Sequence, residues 1–201
     1  DAFENLTIRT GNRINCQELF PTPLWWTDLN LDNGKLLEEC YQIKSKYSEG
    51  RTLSTRDGYQ SHDLTGELSD LTTEIVRVAN TIYKNNIHYP NDNRELYIEN
   101  YWLNINPNRG HHIRHVHGGS FLSGVYYVSC VSDNDQGCIE FYQPEQLDFI
   151  LSLYHPEIAW GETFKPVQGR MLIFPSYLPH SVKPNLLGND RVAVSFNLGI
   201  E

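Results

Sequence analysis

The chain has no cysteines in C-x-x-C spacing. Its four cysteines, Cys16, Cys40, Cys130 and Cys138, are scattered along 201 residues. A structural zinc site built on close thiolate pairs is therefore not expected. The scatter reads instead as buried free thiols in a reducing compartment, which points to a cytoplasmic protein. Cys130 and Cys138 could also face each other across a hairpin. Long apolar runs are absent too. A membrane-spanning helix needs about 20 such residues, so no membrane partner is expected. The first residues hold no basic segment followed by an apolar one, so no secretory leader is expected in them. Asn5-Leu6-Thr7 fits a glycosylation tripeptide, a pattern common by chance. Positive charge is scarce: 16 Lys and Arg stand against 25 Asp and Glu, a formal net charge of -9. An acidic chain repels phosphate backbones, which argues against a nucleic-acid partner.

What remains is an ordinary globular composition, 39% hydrophobic and 20% charged. No internal repeat, low-complexity tract or linker divides it, so residues 1–201 are expected to form one domain. Residues 1–95 read as a supporting part. There, Leu19 to Trp26 is an extended segment whose prolines, Pro21 and Pro23, cannot donate to a ladder. Leu36, Cys40, Ile43 and Tyr47 recur at helical spacing behind Asp32 or Asn33 as cap. Leu68, Leu71, Ile75, Val78 and Ile82 form a second stripe, starting near Thr65 or Ser69. Both stripes read as helix faces packed on a sheet.

From Leu96 onward the pattern changes to short strands. Expected strands cover Tyr97 to Asn106, His111 to His117, Phe121 to Val131, Cys138 to Tyr142, Phe164 to Phe174 with a break near Gly169, and Arg191 to Leu198. Residues 144–160 fit a short helix in an insertion. Helices first and strands later predict an α+β, mainly β chain whose second half, residues 96–201, is a barrel or jelly roll.

Eight histidines are present, and four of them lie between 111 and 117. On a strand, His115 and His117 point to one face, so both imidazoles can reach one ion. Imidazole suits iron, copper, zinc and nickel alike, and an isolated H-x-H is equally a polar strand end. His180 follows an apolar strand, Gly169 to Phe174, and a turn bounded by Pro175 and Pro179, a place suited to a third ligand. Arg191 then opens a strand on which Arg191, Ala193, Ser195 and Asn197 share a face. A guanidinium forks onto a carboxylate, and a hydroxyl can add a hydrogen bond.

Several stretches together resemble the core of the 2-oxoglutarate/Fe(II)-dependent oxygenases, in the prolyl-hydroxylase-like bacterial and phage branch. They are Asn104-Ile105-Asn106, Gly110, His115-Val116-His117 and Ser123 to Val128, then Gly137 to Phe141, then Pro166 to Pro175 through His180 to Arg191. Leu19 to Pro23 matches the Leu-Phe-x-x-Pro opening of that branch. The resemblance implies a double-stranded β-helix (jelly-roll) core with N-terminal supporting helices. It implies Fe(II) as cofactor and 2-oxoglutarate as cosubstrate, with hydroxylation of a small-molecule or peptide substrate as the default reaction.

It also implies site residues: His115, His117 and His180 for the metal, Arg191 with Ser195 for the remote carboxylate, and Asn104 and Asn106 along the pocket. One of Tyr126 and Tyr127 faces inward, and Tyr126 is taken as that residue. The family's usual triad is two histidines and a carboxylate, and His117 stands where the carboxylate belongs. An alternative alignment makes His117 the first ligand and puts Gly119 at the carboxylate position. Trp102 and Tyr101 read as core aromatics. His111, His112 and Arg114 read as the rim of an entrance, and His62, His88 and His155 as surface residues. Two other readings stay open: a cupin-type metal dioxygenase without a keto acid, and a non-catalytic jelly-roll binding module.

Overall fold

The structure, a computed structural model, describes residues 21–87, 92–143 and 161–201. The Asn5 tripeptide, Cys16, Leu19, Phe20, His88, His155 and the helix expected within 144–160 lie outside these residues.

The two helices form where the periodicities predict them. The Asp32 carboxylate accepts the Lys35 backbone N–H at 3.0 Å and caps helix α1, Asn33–Lys46. Leu36, Cys40 and Ile43 are its buried stripe, whereas Tyr47 sits at the C-cap and stays exposed. Helix α2, Ser69–Ile82, buries Leu71, Ile75 and Ala79 and runs on as a π-helical turn, Tyr83–Ile87. No side chain caps it. Leu68 precedes it in a left-handed conformation (φ 56°) and is itself buried. No helix among the described residues is long and apolar enough to cross a membrane.

The strands are β1 (Trp25–Asp28), β2 (Thr55–Arg56), β3 (Tyr59–Gln60), β4 (Leu96–Asn106), β5 (His111–His115), β6 (Leu122–Ser129), β7 (Ile139–Tyr142), β8 (Gly161–Phe164), β9 (Arg170–Pro175), β10 (His180–Val182) and β11 (Arg191–Ile200). They form two antiparallel sheets. One has the order β1-β9-β6-β11-β4-β3 and the other β2-β5-β10-β7-β8. This is the jelly-roll arrangement expected, with the helices packed on the larger sheet.

The period-2 alternation of the larger sheet separates two cores. Leu103, Ile105, Tyr126, Val128, Met171, Ile173, Val192, Val194 and Phe196 face the helices, together with the stripes of α1 and α2. Val125, Tyr127, Leu172, Phe174 and Ala193 face the smaller sheet and meet Ile139 and Phe141. The strand predicted from Phe164 to Phe174 with a break near Gly169 is two strands in different sheets, β8, which ends at Phe164, and β9, which starts at Arg170. The break falls at Gly169, whose φ of 83° suits glycine.

Among the free cysteines, Cys40 and Cys138 are buried and Cys130 is half-buried, so Cys130 and Cys138 do not pair. Burial pushes the Cys40 thiol up to about 12 and the Cys130 thiol up to about 11.

Candidate metal centre and the chamber behind it

β5 and β10 run side by side with His115 directly opposite His180. Cross-strand partners sit on one face, so the two rings meet, with centroids 4.4 Å apart. His117 lies just past the end of β5. Its backbone N–H donates to the Ser176 carbonyl at 2.9 Å, which keeps the chain extended for two more residues. Its ring therefore returns to the face of His115, 5.1 Å from the rings of both His115 and His180. One nitrogen from each of the three histidines can be chosen so that all lie within 4.8 Å of one another. No carboxylate among the described residues joins this group. Gly119, the alternative carboxylate position, has a φ of 104° and faces open space.

The tautomers follow from the hydrogen bonds. The carbonyls of Ile113 and Leu178 can only accept, so His115 Nδ1–H and His180 Nδ1–H donate to them at 2.7 and 2.9 Å. Each Nε2 then carries the free lone pair a metal requires. Burial disfavours the charged form of all three rings. His115 is held below its ordinary value, His117 is lowered to about 4 with His115 adding to the effect, and His180 to about 3. Neutral imidazoles are the form that binds metal.

A chamber between the sheets runs from these histidines to Arg191, and Asn104, Ser195 and Trp102 line it. Arg191 is only 2% exposed. Among the described residues no carboxylate pairs with it. Its guanidinium lies over the Tyr127 ring at 4.9 Å and reaches Asn106 Oδ1 at 3.4 Å, while Nε has no partner. A buried cation without a counter-ion is costly unless a ligand supplies the charge. Tyr127 Oη, buried beside it, is also unpartnered. The Ser195 hydroxyl accepts from Asn104 Nδ2 at 2.9 Å, which leaves its own proton free to donate. The donors at the far end thus suit a carboxylate: a guanidinium with hydroxyl donors around it.

Two expected pocket residues lie elsewhere. Tyr126 does not face the chamber. It points to the helix side, where its hydroxyl donates to Asn33 Oδ1 at 2.8 Å, and the neighbouring Tyr127 takes the inner face. Asn106 does not line the cavity but stands behind it, touching both Arg191 and His112. His112, read as a rim residue, is buried. Its ring lies 3.1 Å from Ser54 Oγ and 3.3 Å from Asn106, and burial keeps it neutral. The cause is a bulge. β10 advances two residues, His180 to Val182, while β5 advances three, His115 to His112. The extra residue breaks the alternation and turns both histidines inward. Trp102, read as core, also lines the chamber, 5.5 Å from the His117 ring. Its place on the inner face with Asn104 was the available signal.

Comparison with known proteins agrees with this geometry. Residues 100–197 match the family described as "Putative 2OG-Fe(II) oxygenase". No curated protein matches the chain by sequence. Among solved structures, the chain is similar to a Pseudomonas putida prolyl-4-hydroxylase, with 14% identity, TM-score 0.62, and 89% of this chain and 92% of that one covered. It is similar to a Trichoplax adhaerens prolyl hydroxylase in complex with a hypoxia inducible factor peptide fragment, with 16% identity, TM-score 0.61, and 88% and 83% covered. It is also similar to HygX from Streptomyces hygroscopicus with nickel and 2-oxoglutarate bound, with 13% identity, TM-score 0.59, and 89% and 83% covered. These likenesses bear on the fold; the family match bears on the chemistry. Over residues 100–197 the chain thus matches the family of 2-oxoglutarate- and Fe(II)-dependent oxygenases, a class of oxidoreductases.

Proposed function

We propose that this protein hydroxylates a small-molecule or peptide substrate, with His115, His117 and His180 holding Fe(II) and Arg191 with Ser195 holding the remote carboxylate of 2-oxoglutarate. The observation that carries this reading is Arg191. It is a buried guanidinium with no carboxylate partner among the described residues, across one chamber from three clustered neutral histidines. The donor set fits the ion, because imidazole is a suitable ligand for ferrous iron. When bound, iron and 2-oxoglutarate supply the oxidising chemistry, in which dioxygen converts a substrate C–H to C–OH while the keto acid leaves as succinate and carbon dioxide.

The chain's own part is positioning. The carbonyls of Ile113 and Leu178 orient His115 and His180 and keep their Nε2 atoms unprotonated. Phe174 packs edge-on against His180 at 4.9 Å and Trp102 lies beside His117, so apolar rings restrict water around the centre. Asn104 holds Ser195 so that its hydroxyl can donate to the cosubstrate. Asn106, fixed by Asn185, which donates to its backbone carbonyl at 2.9 Å, steadies Arg191 from behind.

The test is iron stoichiometry after anaerobic loading. The wild type should hold one equivalent. Replacing His115, His117 or His180 singly by Ala should lower that sharply with the circular dichroism spectrum unchanged. Full retention in all three variants would remove the assignment and favour a binding module.

A further inference from the structure

A second cavity, a groove, is lined by His115 and His117 but not by His180, and Gln60, Trp102, Ile113 and Val116 are among its walls. Gln60 and Trp102 line both this groove and the inner chamber, so they stand at the junction of the two. Strand β3 pairs Gln60 opposite Asn104, which turns its side chain inward. Gln60 is 3% exposed, and its Oε1 is buried without a partner. No described residue hydrogen-bonds to its carboxamide. A buried amide oxygen left unpaired is unfavourable, and one beside a cavity is open to a donor from a ligand.

The rest of the groove narrows what that ligand is. Its ion pair, Arg51 with Asp63 at 2.7 Å, is closed on itself, and the Arg51 Nε–H is taken by the Ser61 carbonyl. Among the side chains that line the groove, no other lysine or arginine offers an anion a partner, unlike Arg191 in the chamber. Leu53, Ile113 and Val116 line the groove and expose their aliphatic surface, from 42% to 63%. Such surface favours a ligand with apolar substituents.

We propose that this groove binds the substrate through an uncharged secondary amide, with the Gln60 carboxamide as its anchor beside the metal centre. A carboxamide offers one acceptor and two donors, and a secondary amide matches it with one N–H and one carbonyl. Trp102 supplies a flat wall next to His117, and the aliphatic side chains cover the substituents. The assignment rests on the reading of the three histidines as the oxygenase centre, because it is their position that makes the groove a substrate site.

The experiment titrates acetyl-leucine methylamide and its anionic counterpart acetyl-leucine into the full chain, with and without Zn(II) and 2-oxoglutarate. The Trp102 indole N–H resonance reports binding, and calorimetry follows 2-oxoglutarate separately. The methylamide should bind saturably and more tightly than the anion. Gln60→Leu should weaken it about tenfold, the effect of losing one or two neutral hydrogen bonds, with 2-oxoglutarate affinity unchanged. Gln60→Glu, of similar size but without the N–H donors, should weaken it as well. No saturable shift with the methylamide, equal binding of the anion, or unchanged affinity in Gln60→Leu would overturn the proposal. Loss of 2-oxoglutarate binding in both variants would overturn it too, by assigning the Gln60 carboxamide to the cosubstrate rather than to the substrate. A wild type that binds the methylamide but not 2-oxoglutarate would instead overturn the oxygenase reading and leave the amide site standing.

Discussion

Replacing Arg191 separates cosubstrate binding from folding. In the wild type the guanidinium is 2% exposed, lies over the Tyr127 ring, and has its Nε unpartnered. A charge-assisted, forked contact to a carboxylate in such a dry site is worth about 2–5 kcal/mol when one partner is removed. At about 1.4 kcal/mol per tenfold, Arg191→Ala should weaken 2-oxoglutarate by roughly 30-fold or more. Arg191→Lys should recover only part of this, because an ammonium lacks the planar fork. The apo protein behaves oppositely. Its buried cation lacks a carboxylate among the described residues, so Arg191→Met, which keeps the apolar stem and drops the charge, should leave the melting temperature equal or higher. The assay is calorimetry of 2-oxoglutarate into the anaerobic metal-loaded protein, paired with thermal unfolding of the apo form. At 100 times its Kd, 2-oxoglutarate should stabilise the wild type by about 2.7 kcal/mol and the variants far less at the same concentration. Iron stoichiometry should not change, since Arg191 is not among the clustered histidines. Wild-type affinity in Arg191→Ala would refute the reasoning, and a cupin-type centre that uses no keto acid would then lead.

Two further predictions concern the histidines. His117→Asp should keep or raise iron affinity in the same stoichiometry assay, because a carboxylate there restores one negative charge beside the cation. A map with iron bound that puts the metal more than about 3 Å from the His115 ring nitrogens would refute that ligand set, given metal–imidazole distances near 2 Å. The second is acid sensitivity. His117 and His180 are lowered to about 4 and about 3 in the fold, against an ordinary value near 6.5. Between these values the unfolded chain binds protons that the folded chain does not. Apo stability should therefore fall as pH drops from about 6.5 toward 3. Denaturant melts of the apo protein at pH 7, 6 and 5 measure this, and a flat profile would show that the imidazoles are not desolvated.

Much of the fold was legible because it rests on periodicity. The stripe of Leu36, Cys40 and Ile43 and that of Leu71 and Ile75 needed only the helical repeat to announce buried faces. The alternation along Arg191 to Leu198 likewise set Arg191 and Ser195 on a face opposite Val192 and Val194. The spacing His115-x-His117, with His180 and Arg191 behind it, marks the candidate centre in the sequence itself, since strand geometry puts alternate residues on one face. Three things lay beyond that local reading. Period 2 says that Tyr126 and Tyr127 diverge but not which faces the chamber. The docking of α1 decides it, because Asn33 takes the Tyr126 hydroxyl. The inward turn of His112 depends on a bulge, which is a mismatch between two strands and has no signature in either one alone. Gln60 sits on a two-residue strand, too short to show any periodicity. Its position beside Asn104 arises from pairing across the sheet, a long-range contact that only the closed tertiary structure creates.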